Sequence, residues 1–203
     1  MTLLAMLRHG ETEWSREKRI QGRTDVSLSA GGRDALAGRR VPSEFDHLRV
    51  VSSPLRRCVE TALLLGLREA ELEPRLAEMS WGQWEGRRLS ELRAELGAAM
   101  VVNEARGFDF TPPQGESPRQ VLARVNTWLA EIAAAAAPTL AICHRGVIRA
   151  VFAAACGWDM RGKPPAKLDW NALHVFSIDR LGKPEVLRLN VALVRPGPIE
   201  AIT

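Results

Sequence analysis

The chain has 203 residues, 46% hydrophobic and 26% charged, with a formal net charge of +4. That is enough apolar material for one compact core, and no stretch approaches the roughly 20 apolar residues of a membrane span. The basic residues are mostly arginine and are scattered, which argues against a nucleic-acid footprint. The three cysteines and four histidines have no C-x-x-C or H-x-x-x-H spacing, so neither a disulfide framework nor a metal site is indicated.

Residues 1–203 read as one domain. A strand begins almost at once and no leader segment is visible, so the expected location is the cytoplasm. Residues 3–8 read as a strand that runs into Arg8-His9-Gly10. Residues 29–40 read as a helix capped by Ser29, and 47–53 as a short buried strand. The stretch 53–66 has the pattern of a helix with Ser53 at its N-cap, Pro54 in its first turn and Gly66 as its terminator. A short strand is expected at 71–73, a helix over 87–97 ending at Gly97, and a loop over 108–117. Ser117-Pro118 opens a long amphipathic helix to residue 137. Residues 139–143 read as a buried strand and 146–157 as a helix closed by Gly157. Strands are expected at 173–179 and 185–190, and an irregular tail around Pro196 and Pro198.

Alternating strands and helices predict an α/β fold, a three-layer α/β/α sandwich with a mostly parallel sheet and helices on both faces. Residues 79–117 interrupt that alternation and carry Trp81, Trp84, Phe108 and Phe110. Such an insertion is expected to cap a pocket, with the two tryptophans serving mainly as packing.

In an open α/β sheet, ligands bind beyond the carboxyl ends of the strands. Three segments bring reactive groups there: Arg8-His9-Gly10, Ser52-Ser53-Pro54 with Arg56 and Arg57 just behind, and His144-Arg145-Gly146. Two imidazoles among arginines repel a metal cation but suit a phosphoryl group. Guanidinium forks bind phosphate oxygens, helix N-termini add N–H donors, and a neutral imidazole attacks phosphorus. Gly10 is expected to let the backbone approach the anion.

Six blocks in order then carry a resemblance over most of the chain: LRHGETEW (7–14), QGRTDVSLSAGGRDAL (21–36), SSPLRRCVETA (52–62), RLAEMSWGQWEG (75–86), QGES (114–117) and ICHRGVIRA (142–150). The sequence resembles the histidine phosphatase superfamily, also called phosphoglycerate-mutase-like. The resemblance implies His9 as the phosphorylated residue, Arg8, Arg57 and His144 as its charge-stabilising partners, and Glu78 as the proton donor to the leaving alcohol. Ser15, Gln21, Gly22 and Arg145 are the implied phosphate or substrate contacts. Ser15 stands where asparagine is common, Ser27 where proline is, and Arg145 where glycine is frequent. The implied function is hydrolysis of a small phosphate monoester, such as α-ribazole-5′-phosphate or a sugar or glycerate phosphate. No metal and no cofactor is implied, and no membrane or nucleic-acid partner; the protein is expected as a monomer or a homodimer.

Two other functions stand beside it. A cofactor-dependent phosphoglycerate mutase uses the same scaffold, but must keep water from phosphohistidine, and residues 79–117 are short for such an enclosure. A catalytically silent binding protein conflicts with the intact set His9, Arg57, Glu78 and His144. Cys143 to Arg149 also spells C-x5-R, the loop pattern of cysteine phosphatases. That pattern leaves Arg8-His9, residues 52–57 and Glu78 without a role. Cys58 and Cys156 read as core fillers, and His47 and His174 as structural.

Overall fold

The computed structural model describes residues 1–195, so the expected irregular tail at Pro196 and Pro198 lies outside the described residues. Among the described residues, six strands form one sheet: β1 (Thr2–Arg8), β2 (Arg49–Ser52), β3 (Glu71–Leu72), β4 (Thr139–Cys143), β5 (Ala172–Ile178) and β6 (Pro184–Ala192). Their order is β3-β2-β4-β1-β5-β6. The pairs β3–β2, β2–β4 and β4–β1 are parallel, while β5 and β6 run antiparallel at the far side. The fold is α/β, as the alternation predicted.

The sheet is covered on both faces, so its central strands are apolar throughout and do not alternate. Leu4 and Met6 of β1 and Ala141 and Cys143 of β4 face one layer, built from α6 (Pro118–Ala134) and α7 (Arg145–Cys156). Ala5 and Leu7, with Leu140 and Ile142, face the other, which includes α3 (Arg56–Leu64) and Leu36 of α2 (Ala30–Leu36). In α6, Val121, Val125, Trp128, Leu129 and Ile132 are buried, the 3–4 residue spacing of a helix with one apolar stripe. Ser117 caps it by a reciprocal pair of bonds with Gln120.

Several helix boundaries differ from the sequence expectation. The helix expected from Ser53 begins at Arg56, with Leu55 at its N-cap. The backbone through Ser53 stays extended because Ser53 N–H still bonds Ile142 O of β4, at 2.9 Å. A strand bond therefore overrides a local cap signal. The helix expected over 29–40 stops at Leu36, although Ser29 caps it as expected by accepting from Gly32 N–H. Two short helices were not anticipated: α1 (Glu13–Arg16), closed by a capping box between Thr12 and Ser15, and α5 (Ala98–Glu104). Gly97, with φ of 50°, ends α4 (Leu89–Leu96) and starts α5 in the same step.

Residues 79–117 form their own small apolar cluster. Trp84, Leu92 and Met100 are buried there against Ile20, Trp81 and Phe110. The Trp81 ring lies 5.4 Å from Phe110 edge to face and 6.5 Å from Trp84, so both tryptophans are packing groups.

Candidate active site

Register brings the reactive groups together. Arg8 is level with Cys143 on the neighbouring strand, and Ser52 is level with Ile142. His9 N–H continues the ladder to Cys143 O at 3.0 Å. His9 is therefore level with His144, and Ser53 stands one step behind on the other side of β4, each one residue past the end of a parallel strand. The His9 and His144 ring centroids are 5.2 Å apart.

His9 is buried, and its Nδ1 lies 2.7 Å from Gly10 O. A carbonyl only accepts, so Nδ1 carries the proton and Nε2 keeps its lone pair. Burial, then the cations Arg8 and Arg57, push the imidazole well below its ordinary value. It is neutral at neutral pH and nucleophilic at Nε2. Gly10 is small for a different reason from the one expected: an added Cβ meets Leu36 Cδ1 at 2.7 Å and Leu28 at 3.3 Å. Its N–H donates to Thr61 Oγ1 of α3 at 2.9 Å, fixing the turn after His9.

His144 is wholly buried, its Nε2 2.7 Å from Ser53 Oγ. Burial, then Arg57 and His9, hold it neutral as well. Ser53 is thus a partner of the second histidine instead of a helix cap. Cys58 also packs on this ring, with Sγ 3.4 Å from both His144 Nε2 and Cys143 O. Burial pushes the Cys143 thiol well up from its ordinary value, and its side chain belongs to the core opposite His144. It is no thiolate nucleophile. Cys156, expected as a core filler, is exposed.

Arg57 is wholly buried in the first turn of α3. Its Nη1 donates to Thr24 O at 2.9 Å and its Nη2 to Gly22 O at 2.8 Å. Its Nε, and the Nε of Arg8, are buried without a partner. An unmade hydrogen bond on a buried cation is costly unless an anion completes it. Burial lowers the pKa of both guanidiniums from the ordinary arginine value.

The loop that holds Arg57 is itself held by Glu85, a residue the sequence reading left unassigned. Glu85 accepts from Arg23 N–H at 2.9 Å, from Thr24 N–H at 2.9 Å and Oγ1 at 2.6 Å, and from Trp81 N–H at 3.1 Å. Gly22 makes this possible: it has φ of 53°, and a Cβ there sits 1.9 Å from Glu85 Oε1. The glycine in the second sequence block and the acid in the fourth were the available signal. Gly22 thus contributes its carbonyl to Arg57 and its lack of a side chain to Glu85.

Glu78 lies at the N-terminus of α7. Its Oε1 accepts from Met79 N–H at 2.8 Å, and Gly146 N–H lies 3.1 and 3.2 Å from its two oxygens. Burial raises its pKa above the ordinary carboxyl value, against the opposing pull of those N–H groups, Arg57 and Arg8. A Cβ at Gly146 would fall 2.3 Å from Glu78 Oε1, so this glycine leaves the carboxyl its space. Arg124 and Glu116 hold the Glu78 backbone: Arg124 donates to Glu78 O at 3.2 Å and pairs with Glu116.

The remaining expected contacts divide. Gln21 Oε1 accepts from Thr12 Oγ1 at 2.9 Å, leaving its NH₂ end as the donor. The Ser15 hydroxyl accepts from Thr12 N–H and donates to Thr12 O, so its single proton stays within the cap and is not offered to a phosphate. Arg145 is exposed, its guanidinium carbon 5.0 Å from the Trp170 ring centroid. Among the described residues, no three His, Cys, Asp or Glu side chains gather as metal ligands, and no helix is long and apolar enough to cross a membrane.

Three buried histidines, His9, His144 and His174, are held below the ordinary value, the first two well below it, and predict acid-sensitive stability. Below the ordinary histidine value of 6.5, the unfolded chain binds protons that the folded chain refuses. Stability is therefore full above that value and falls as pH drops through it, by up to about 1.4 kcal/mol per pH unit for each histidine. Urea unfolding between pH 7 and 5.5 is expected to show this slope, and His9→Ala to remove one histidine's share.

A neutral imidazole under the influence of the Arg8 and Arg57 guanidiniums, just past the end of a parallel strand, has the chemistry to accept a phosphoryl group. The sequence matches the Histidine phosphatase superfamily (branch 1) over residues 4–192, and the chain belongs to that family of phosphatases and mutases. It is similar to a glucosyl-3-phosphoglycerate phosphatase of Mycobacterium tuberculosis, 34% identical over 166 residues, which cover 74% of each chain. It is also similar to a probable phosphoglycerate mutase of Escherichia fergusonii, 33% identical over 64% of this chain and 62% of the relative. Among solved structures, it resembles a mycobacterial glucosyl-3-phosphoglycerate phosphatase in complex with inorganic phosphate. That match has a TM-score of 0.76 and 28% identity, and covers 95% of this chain and 98% of the other.

Proposed function

We propose that the protein hydrolyses a small-molecule phosphate monoester through a phosphohistidine at His9 Nε2. The observation that carries this reading is the His9 imidazole, locked by Gly10 O with Nε2 unprotonated, beside two guanidiniums that each have a buried, unpaired Nε.

In the first step the Nε2 lone pair attacks phosphorus, the N–P bond forms and the ester P–O bond breaks. Arg8 and Arg57 face the non-bridging oxygens, whose charge they stabilise. His144, backed by Ser53, contributes neutral hydrogen-bonding polarity on the same side. The protonated Glu78 carboxyl gives its proton to the departing alkoxide. In the second step Glu78 takes a proton from water, whose oxygen attacks phosphorus. The N–P bond breaks, its electron pair returns to Nε2, and inorganic phosphate leaves. The guanidiniums supply the positive charge, so the scheme uses no metal and no cofactor. Residues 79–117 stand as the cap of the site, in one domain that spans the chain.

A glycerate-type or sugar phosphate is the favoured substrate class over α-ribazole-5′-phosphate, because the glucosyl-3-phosphoglycerate phosphatase and the phosphoglycerate mutase described above are both named for phosphoglycerates. The mutase relative also favours a second reading, isomerisation. The deciding experiment compares p-nitrophenyl phosphate turnover in excess EDTA, without bisphosphoglycerate, against conversion of 3- to 2-phosphoglycerate with it. Metal-free turnover with release of inorganic phosphate is expected. Stoichiometric interconversion of the phosphoglycerates without net phosphate release assigns the mutase reading instead.

A further inference from the structure

Arg145 is the first residue of α7, directly after His144 and directly before the Gly146 N–H that holds Glu78. It makes no ion pair with an acidic side chain among the described residues. Its guanidinium carbon lies 5.0 Å from the Trp170 ring centroid, and its side-chain N–H groups make no hydrogen bond among the described residues. Trp170 is anchored in turn on the main core and edge to face against the buried His174, 6.2 Å away. The position is therefore preformed.

It is also electrostatically unfavourable in isolation. Arg149 lies one turn along the same helix, over Trp158 at 5.5 Å, and makes no acidic pair among the described residues either. Like charges at i and i+4 destabilise a helix, and a cation at the N-terminus opposes its dipole. Arg145 also depresses the half-buried Arg8, second only to desolvation. The acid in the middle of these cations is Glu78, which burial biases toward its neutral form. An anion at this position relieves all of these repulsions together.

We infer that Arg145, set on Trp170, binds a second anionic group carried by the leaving alcohol, so that the substrate is the phosphate ester of a hydroxy acid. The inference rests on the hydrolytic reading above for the direction of the ester. Glu78 protonates the leaving oxygen, Gly146 holds Glu78, and Arg145 is the next residue toward the solvent. Arg145 is exposed while His9, Arg57 and Glu78 are buried, so it stands at the mouth of the site, outside the Arg8 and Arg57 pair that holds the phosphoryl group, where the rest of the ester lies. A carboxylate suits the guanidinium fork in this place.

The test uses a matched pair of esters, 3-phosphoglycerate and glycerol 3-phosphate, which differ by a carboxylate in place of a hydroxymethyl group. Calorimetric binding is measured in the His9→Ala background, where no turnover interferes. Steady-state kinetics are measured with His9 present. The carboxylate ester is expected to bind roughly 10- to 100-fold more tightly, and His9→Ala/Arg145→Ala to lose that preference. Arg145→Ala alone should raise KM for 3-phosphoglycerate by a similar factor more than it raises KM for glycerol 3-phosphate. Equal binding of the two esters, or a preference that survives Arg145→Ala, overturns the inference. So does an equal loss for both esters, because Arg145 would then act on the phosphoryl group or on the fold. Arg145-dependent preference without release of phosphate from either ester would sustain the inference and defeat the hydrolytic reading.

Discussion

Replacing His9 by alanine is expected to slow p-nitrophenyl phosphate turnover by roughly 10³- to 10⁵-fold, the scale on which removal of a covalent nucleophile acts. Rapid-quench labelling with a radioactive phosphate ester should give an acid-labile, base-stable phosphoprotein with the parent and none with His9→Ala. The fold should survive, because the imidazole is neutral in place and its one hydrogen bond is to an adjacent backbone carbonyl. Cys143→Ala is the paired control and should stay within a few-fold of the parent rate, since its thiol is buried in the sheet and held protonated. Parental turnover by His9→Ala, or label moved to Cys143, refutes the phosphohistidine scheme.

Arg57→Ala is expected to cost roughly 10²- to 10³-fold in kcat/KM, the usual effect of removing one preorganised charge-stabilising donor. It also leaves Gly22 O and Thr24 O without their donors, so the melting temperature should fall by several degrees. Arg57→Lys separates the two effects. A lysine keeps the charge but has no planar fork, so it cannot bond both carbonyls in the same geometry and still present a donor to phosphate. Its activity should remain far below the parent even where part of the thermal stability returns. A lysine variant with parental kcat/KM would mean that Arg57 serves the loop alone, and kinetics with inhibition by inorganic phosphate would detect this.

Much of this architecture was legible in local sequence. Strand β4 was read with its observed bounds, because a short apolar run buried on both faces and followed by a turn has few other solutions. Ser117-Pro118 and Gly157 marked the start of α6 and the end of α7 for the same kind of local reason, a cap and a left-handed residue. The differences have two causes, competition from a distant segment and an unread local cap. Ser53-Pro54 has every local property of a helix start, yet the residue stays extended because a neighbouring strand takes its N–H. Ser15 has a hydroxyl of the right chemistry for phosphate, yet a cap four residues long absorbs it. Glu85 had no role in the sequence reading and is a clamp on two loops, visible only when residues 22–24 and 81–85 lie side by side.

The sequence by itself determined the class of fold, the set of chemical groups, and the order of the blocks that carry them, since residue type and periodicity are local properties of the chain. Tertiary structure decided which nitrogen of His9 is free, which carbonyls orient Arg57, and that Arg145 lies against Trp170. Those are matters of angstroms between segments far apart in the chain. Strand register and the burial of charge set them, and neither is encoded within any one segment.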